Sequence, residues 1–313
     1  MVRLLIIFVL ICFFSAPKIQ GQETKANQII VQADNDQFYF NPTDRYYSNG
    51  IGIRWERIIG NHGFPAIKGV DKRILVAGIQ HKIYTPSAIT FYENSRHDRP
   101  YAATLTVTGG LRLFFHQHQY IQSDITLGVA GPMALGQKLQ EWWHDRIDIF
   151  EPRGWENQIV NNPVAAIRLQ LTRQWFHQRF IDFISTSTLN LGTMLTSVRQ
   201  SGKFRVGNPK TLNTSAYSGG HLGSESAATT VEIYFFAGGG MEYVNYNGLI
   251  EGNWIGRESP HTLGIVPWVF HGEYGLQVSA WFINTSFTVH HLSKEVKNGL
   301  KHRYASIKLG IKF

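Results

Sequence analysis

The chain contains a single cysteine, Cys12, and after its first residues no apolar run long enough to form a membrane-spanning helix. Cys12 lies within Leu4 to Phe14, an unbroken apolar run behind Met1-Val2-Arg3 that is too short to span a bilayer and of the length of a secretory h-region. Residues 1–21 are therefore expected to be a signal peptide cleaved near Gly21, with Ala16 as the alternative site. The small residue that a lipoprotein signal places before its cysteine is missing. Once the leader is removed no thiol remains, which excludes disulfides, thiolate nucleophiles and cysteine-ligated metals. Linkers and low-complexity stretches are absent too, so residues 22–313 read as one domain. No Gly-rich loop of the phosphate-cradling kind occurs. The net charge of +8 is scattered rather than gathered into a patch, which argues against nucleic acid and is compatible with an anionic substrate.

Aromatic residues (13%), 30 glycines and a persistent two-residue period are what the chain does contain. Leu105, Val107, Leu111 and Leu113 alternate with Thr106, Thr108 and Arg112. Ile121, Ile125, Leu127 and Val129 alternate with Gln122, Asp124, Thr126 and Gly128, and Ile167, Leu169 and Leu171 with Arg168, Gln170 and Thr172. Each segment thus has one apolar and one polar face. At the end of the chain Ile307, Leu309, Ile311 and Phe313 oppose Ser306, Lys308, Gly310 and Lys312, a terminal amphipathic strand closing on Phe, as in outer-membrane barrels, with lysines toward a polar lumen. Twelve segments are counted, near 28–36, 47–58, 73–84, 100–116, 119–130, 164–176, 179–191, 193–206, 229–246, 267–280, 283–292 and 303–313. The fold class is all-β, a single transmembrane antiparallel β-barrel of about twelve strands. Apolar parity changes around Trp281, which predicts a tight turn there. Gly238-Gly239-Gly240, inside a strand, predicts a bend or bulge.

With the first strand running outward, the connections 37–46, 85–99 and 131–163 share the external rim. The first belongs to the cluster from Asp34 to Gly50, which carries more acids, amides and paired tyrosines than a turn requires. The third begins with Gly131-Pro132 and contains a predicted helix. Gln137, Gln140, Glu141 and His144 recur on it at three- and four-residue spacing, while Leu139 and Trp143 on its flank are expected to pack it against the rim. His144 is either a general base or an ordinary surface histidine on this spacing alone. Asp98-Arg99 reads as a structural ion pair or turn, and Trp155 as an anchor at the membrane interface. His116, His118, His290 and His291 fall at strand ends and do not read as metal ligands.

Taken together and in order, Asn35-Asp36, Asp44-Arg45-Tyr46-Tyr47-Ser48-Asn49-Gly50, Asp98-Arg99-Pro100-Tyr101, Gly131-Pro132, Gly136-Gln137, Gln140, His144 and Gly154-Trp155-Glu156-Asn157-Gln158 resemble the lipid A deacylase family of Gram-negative outer membranes. The resemblance runs from about residue 30 to the C-terminus and is dense to residue 163. It implies a Ca²⁺-dependent carboxylic ester hydrolase that removes the 3′-O-linked acyloxyacyl group of lipid A, placed in the cell outer membrane among its lipids with the active site facing the outer leaflet. His144 would activate water, Asp36 and Ser48 would hold Ca²⁺, Asn35 would donate to the oxyanion and Gln140 would position substrate or His144. Basic residues expected after Ile83-Tyr84-Thr85-Pro86-Ser87, to meet lipid A phosphate, are replaced by Phe91 and Tyr92, with Arg96 or Arg99 as substitutes. Two other readings stay open: an outer-membrane phospholipase using Ser48 as nucleophile, and a pore or adhesion barrel without activity.

Overall fold

Strands with one apolar and one polar face are satisfied together when they close on themselves, polar side inward, because closure also leaves no unpaired edge. A computed structural model describes residues 25–39, 44–60, 67–224, 231–253 and 257–313; the expected signal peptide lies outside them. Twelve antiparallel strands form a closed barrel: β1 (Asn27–Asn35), β2 (Tyr46–Ile59), β3 (Val70–Thr85), β4 (Ala102–Phe115), β5 (Gln119–Ala130), β6 (Asn162–His177), β7 (Ile181–Gly192), β8 (Leu195–Gly207), β9 (Glu232–Asn247), β10 (Trp268–Ala280), β11 (Ile283–Leu292) and β12 (His302–Lys312). Each strand pairs with its neighbours in sequence, and β1 closes the barrel on β12 through Gln28↔Lys312, Val31↔Leu309 and Asn35↔Ala305. The fold class, the count and the segments agree with the sequence reading, β3 and β9 departing most by starting at Val70 and Glu232. Trp281 sits in the tight β10–β11 turn with φ 50°.

Side chains sort by parity. Val107, Ile125, Leu127, Ile167 and Phe235 face outward and are half or more exposed, forming the apolar exterior. Thr104, Thr106, Gln122, Asp124, Arg168 and Lys308 face a lumenal cavity of about 580 Å³. The inward lysine at 308 is as expected. Of the bend or bulge expected there, the bulge is absent: Gly238, Gly239 and Gly240 pair in unbroken register with Lys203, Gly202 and Ser201 of β8, and with β10 on the other side. A Cβ at Gly238 would stand 2.3 Å from the Gly202 carbonyl oxygen, and one at Gly240 2.3 Å from that of Gln200. The glycines serve close strand approach instead.

The β8–β9 connection folds back into the barrel at the end that carries both described termini. Leu212 and Leu222 are fully buried against Ile74, Val76, Phe114, Tyr120 and Ile184. Lys72 Nζ donates to the carbonyls of Asn213 (2.8 Å), Gly220 (2.5 Å) and Leu222 (3.1 Å), and Arg112 donates to that of Ser218. Glu232 accepts from the Ser215 hydroxyl and the Ala216 amide, both at 2.7 Å. Residues 208–224 thus stopper this end of the lumen.

At the opposite rim the β5–β6 connection carries a 3-10 turn (Pro132–Ala134) and the helix α1 (Gly136–Arg146). Gly131 (φ 89°) and Leu135 (φ 61°) take left-handed-side conformations that reverse the chain before α1. Ala134 packs with Ile83, Ala103, Tyr101 and Trp155, and Leu105 and Val129 extend that cluster. Ala103 and Leu105 belong to the outward series of β4, since Thr104 and Thr106 line the lumen. Therefore α1 docks on the outer wall of the barrel rather than over its mouth. A Cβ at Gly136 would lie 2.3 Å from that of Ala103, so glycine is required for this approach.

Candidate functional site

Half of the site comes from the end of β1 and the start of β2. Asn35 pairs with Asn49 across the ladder, and its Oδ1 accepts from the Gln37 backbone N–H (2.7 Å), which leaves the amide NH₂ as the group able to donate elsewhere. Asp36 is 2% exposed. Its Oδ2 accepts from the Arg45 backbone N–H (2.9 Å), whereas Oδ1 is buried with no partner. Burial pushes its carboxyl up to about 8, the Arg45 N–H working against this and the nearby charge of Asp44 adding to it. Ser48 is the residue skipped in the β2–β3 register between Tyr47 and Asn49, a bulge of the kind that re-aims a side chain at a strand end. Its hydroxyl is buried and only weakly engaged, 3.5 Å from the Ile83 carbonyl oxygen. Gly50 is fixed by packing, because a Cβ there would sit 2.0 Å from the Tyr47 hydroxyl, which donates to Asp34 at 2.6 Å.

The other half is α1, and Asp44 joins the two. Gln140 Nε2 donates to Asp44 Oδ2 (2.8 Å), and the same oxygen lies 2.9 Å from His144 Nε2. The Trp155 indole N–H donates to Gln140 Oε1 (2.8 Å). Indole nitrogen can only donate, so this bond sets which end of the Gln140 amide faces Asp44. His144 Nδ1 lies 2.7 Å from the Phe150 carbonyl oxygen. Both ring nitrogens therefore face acceptors. Burial opposes a charged ring, but the Asp44 and Phe150 contacts outweigh it and the imidazole is shifted upward, toward the imidazolium that donates to both.

The three connections expected at one rim do converge there. Gln140, His144, Asp36, Ser48 and Asn35 all fall in this region. Asp44, quoted in the sequence cluster but given no role, turns out to be the residue that links the halves. Three readings are corrected. Trp155 is 1% exposed and buttresses Gln140, so it is no interface anchor. Leu139 and Trp143 are 37% and 36% exposed and do not pack α1 on the rim; the polar stripe of Gln140 and His144 is buried instead, because Asp44 and Trp155 meet it with hydrogen-bond partners. Asp98 and Arg99 are structural but not paired with each other: Asp98 accepts from the Tyr46 hydroxyl (2.6 Å) and the Ser87 amide (2.8 Å), while Arg99 pairs with Glu295 at 2.5 Å and covers the Tyr84 ring. Buried and paired, Arg99 is not placed as a phosphate ligand, which leaves exposed Arg96, over the Phe91 ring. His290 donates to or accepts from Ser306 (3.0 Å) and stacks on Tyr304, and His118 contacts Gln174.

Among the described residues no three His, Cys, Asp or Glu side chains converge to hold a metal ion. The oxygens at the rim still suit a hard cation. A bare, buried Oδ1 on Asp36, a second carboxylate at Asp44 and the weakly engaged Ser48 hydroxyl form an all-oxygen donor set that backbone carbonyls and water would complete.

A closed twelve-stranded barrel with an apolar exterior, a polar lumen and a helix-bearing connection on its outer wall defines an outer-membrane β-barrel. A family model described as "Outer membrane protein LpxR" matches residues 4–313, and the chain belongs to that family. Among solved structures, LpxR from Salmonella typhimurium is similar with a TM-score of 0.73 at 19% identity, covering 91% of this chain and 100% of that one. The β domain of the Bordetella autotransporter BrkA gives 0.46 at 10% identity, covering 93% and 100%. No curated protein sequence matches the chain.

Proposed function

We propose that this protein is a carboxylic ester hydrolase that removes the 3′-O-linked acyloxyacyl group of lipid A and depends on Ca²⁺. The observation that carries the reading is the junction at Asp44, which brings the imidazole of His144 and the amide of Gln140 to one carboxylate oxygen, near the buried carboxyl of Asp36, on the outer wall of a membrane barrel. That wall is where a lipid ester is accessible without entering the lumen.

Asp36 and Ser48 would hold the cation, with Asp44 beside them; when bound, Ca²⁺ supplies polarisation of the ester carbonyl and charge to oppose the oxyanion. The remaining chemistry belongs to the chain. Phe150 retains the proton on His144 Nδ1; once the Nε2 proton has passed to solvent and the Asp44 carboxylate has moved off, the neutral ring carries its lone pair at Nε2 and accepts a proton from water. The water oxygen attacks the ester carbonyl carbon, and the same proton is returned from His144 to the departing sugar oxygen. Asn35, its carbonyl held by the Gln37 amide, turns its NH₂ outward as an oxyanion donor. Gln140, locked by Trp155, keeps Asp44 and His144 in register.

The two competing readings gain no support. Ser48 as a nucleophile would need a base, yet its hydroxyl hydrogen-bonds the Ile83 carbonyl oxygen and no histidine. A pore would need an open lumen, and residues 208–224 stopper it. Incubating the purified protein with lipid A in Ca²⁺ or in chelator tests the proposal. Release of an acyloxyacyl acid only with Ca²⁺ is the expected outcome, and equal release in both would remove the metal from the account.

A further inference from the structure

Helix α1 is amphipathic in an unusual sense: it has three surfaces. The buried stripe of Gly136, Gln140 and His144 faces the barrel wall. At about 100° per residue, Leu139, Trp142 and Trp143 fall on one flank of that stripe with Arg146, whose long apolar stem can carry its charge out past them, while Gln137, Lys138, Glu141 and Asp145 fall on the other; Leu135 immediately precedes α1. The apolar flank is open: Trp142 is 58% exposed, and Leu135 at its start 52%. Met133 in the preceding turn is 60% exposed, and Ile147 and Phe150, just after α1, are 39% and 50% exposed. A water-facing helix would not gather two tryptophans and a leucine on one open flank with further exposed apolar groups at both of its ends.

What covers this flank follows from where α1 is docked. The helix sits on the outer wall, seated by Ala134 and Gly136 against Ile83 and Ala103, directly above the outward series of β4 and β5. In that series Leu105 and Val129 are under the helix, whereas Val107 and Leu127, one step further from the rim, are 58% and 59% exposed as part of the lipid-facing belt. The open flank is thus continuous with the surface that meets the bilayer. A helix lying along the interface plane, wall stripe inward, apolar flank toward acyl chains and charged flank toward water, fulfils all three contacts at once. Tryptophan is the side chain whose ring and N–H suit that depth.

We propose that the flank formed by Leu139, Trp142 and Trp143, with Leu135 at its start, inserts into the acyl-chain edge of the leaflet at that rim, making α1 an interfacial anchor that sets its depth relative to lipid. The partner is the hydrocarbon of the bilayer, not a second protein. This inference goes beyond the hydrolase reading and does not depend on it. The full-length barrel, with Cys12→Ser if the leader is retained, is labelled with a small environment-sensitive fluorophore at Leu139→Cys or at Glu141→Cys and reconstituted in phosphatidylcholine vesicles with or without brominated acyl chains. Heat-modifiable gel mobility verifies that each variant is folded. The Leu139→Cys label is expected to emit to the blue of the Glu141→Cys label and to be quenched several-fold more by brominated chains. Equal quenching at the two positions, or none at Leu139→Cys, overturns the proposal. Absence of lipid A hydrolysis by the unsubstituted barrel, with this difference present, would refute the catalytic reading alone.

Discussion

The two ends of this barrel both bury carboxylates, and they treat them oppositely. At the stoppered end Glu56 Oε1 accepts from Arg112 (3.1 Å) and forms an ion pair with Arg54 (3.0 Å), its Oε2 accepts from Gln28 (2.6 Å), and both oxygens of Asp182 are taken by Arg205. At the α1 rim Asp36 has one oxygen bonded to a backbone amide and the other bare. A satisfied carboxylate holds structure together; a buried one left half satisfied costs stability and persists where something else is to bind. The difference separates the end that closes the barrel from the end proposed to do chemistry.

Substitutions that remove each kind of carboxylate should part company. His144→Ala and Asp36→Ala are expected to lower the rate of ester release by about a hundredfold to ten-thousandfold, the range typical of a lost proton-transfer group, with gel mobility of the folded barrel unchanged. Glu56→Ala strands Arg112 and should destabilise the barrel by about 3–5 kcal/mol, read by thermal unfolding in detergent, while activity per folded molecule holds. Asp36→Asn should do the reverse of Glu56→Ala: in chelator above pH 8, where the wild-type carboxyl is ionised, it removes a buried charge with one bare oxygen and should raise stability by about 1–3 kcal/mol, yet abolish the stabilisation by Ca²⁺ expected of wild type. A destabilised Asp36→Asn in chelator would erase the contrast between the ends. The smallest effect is expected for Trp155→Phe, which frees Gln140 Oε1 at a cost of about 1 kcal/mol and should reduce turnover several-fold.

Strand alternation made the wall legible because a two-residue period maps directly onto lumen and lipid, and Phe313 behind Leu309 and Ile311 marked its closing strand. Residues 208–224 were not legible. Their leucines and threonines follow no period, and the bonds that draw them in come from Lys72 and Arg112, distant in sequence. On α1 the spacing found the right stripe, but hydropathy assigned it the wrong side: polar residues read as solvent-facing until a partner such as Asp44 is known to meet them. Asp44 itself was visible only as composition, because its partners Gln140 and His144 lie 96 and 100 residues away. Trp155 misled for a related reason, since its indole N–H finds Gln140 and not the headgroup region.

The central claim, that the half-satisfied rim is a hydrolytic site, is tested most directly by the mass spectrum of lipid A from Gram-negative cells expressing wild type or His144→Ala at equal levels in the outer membrane. The account predicts lipid A lighter by one acyloxyacyl group with wild type and intact lipid A with His144→Ala. Identical spectra from the two would contradict it.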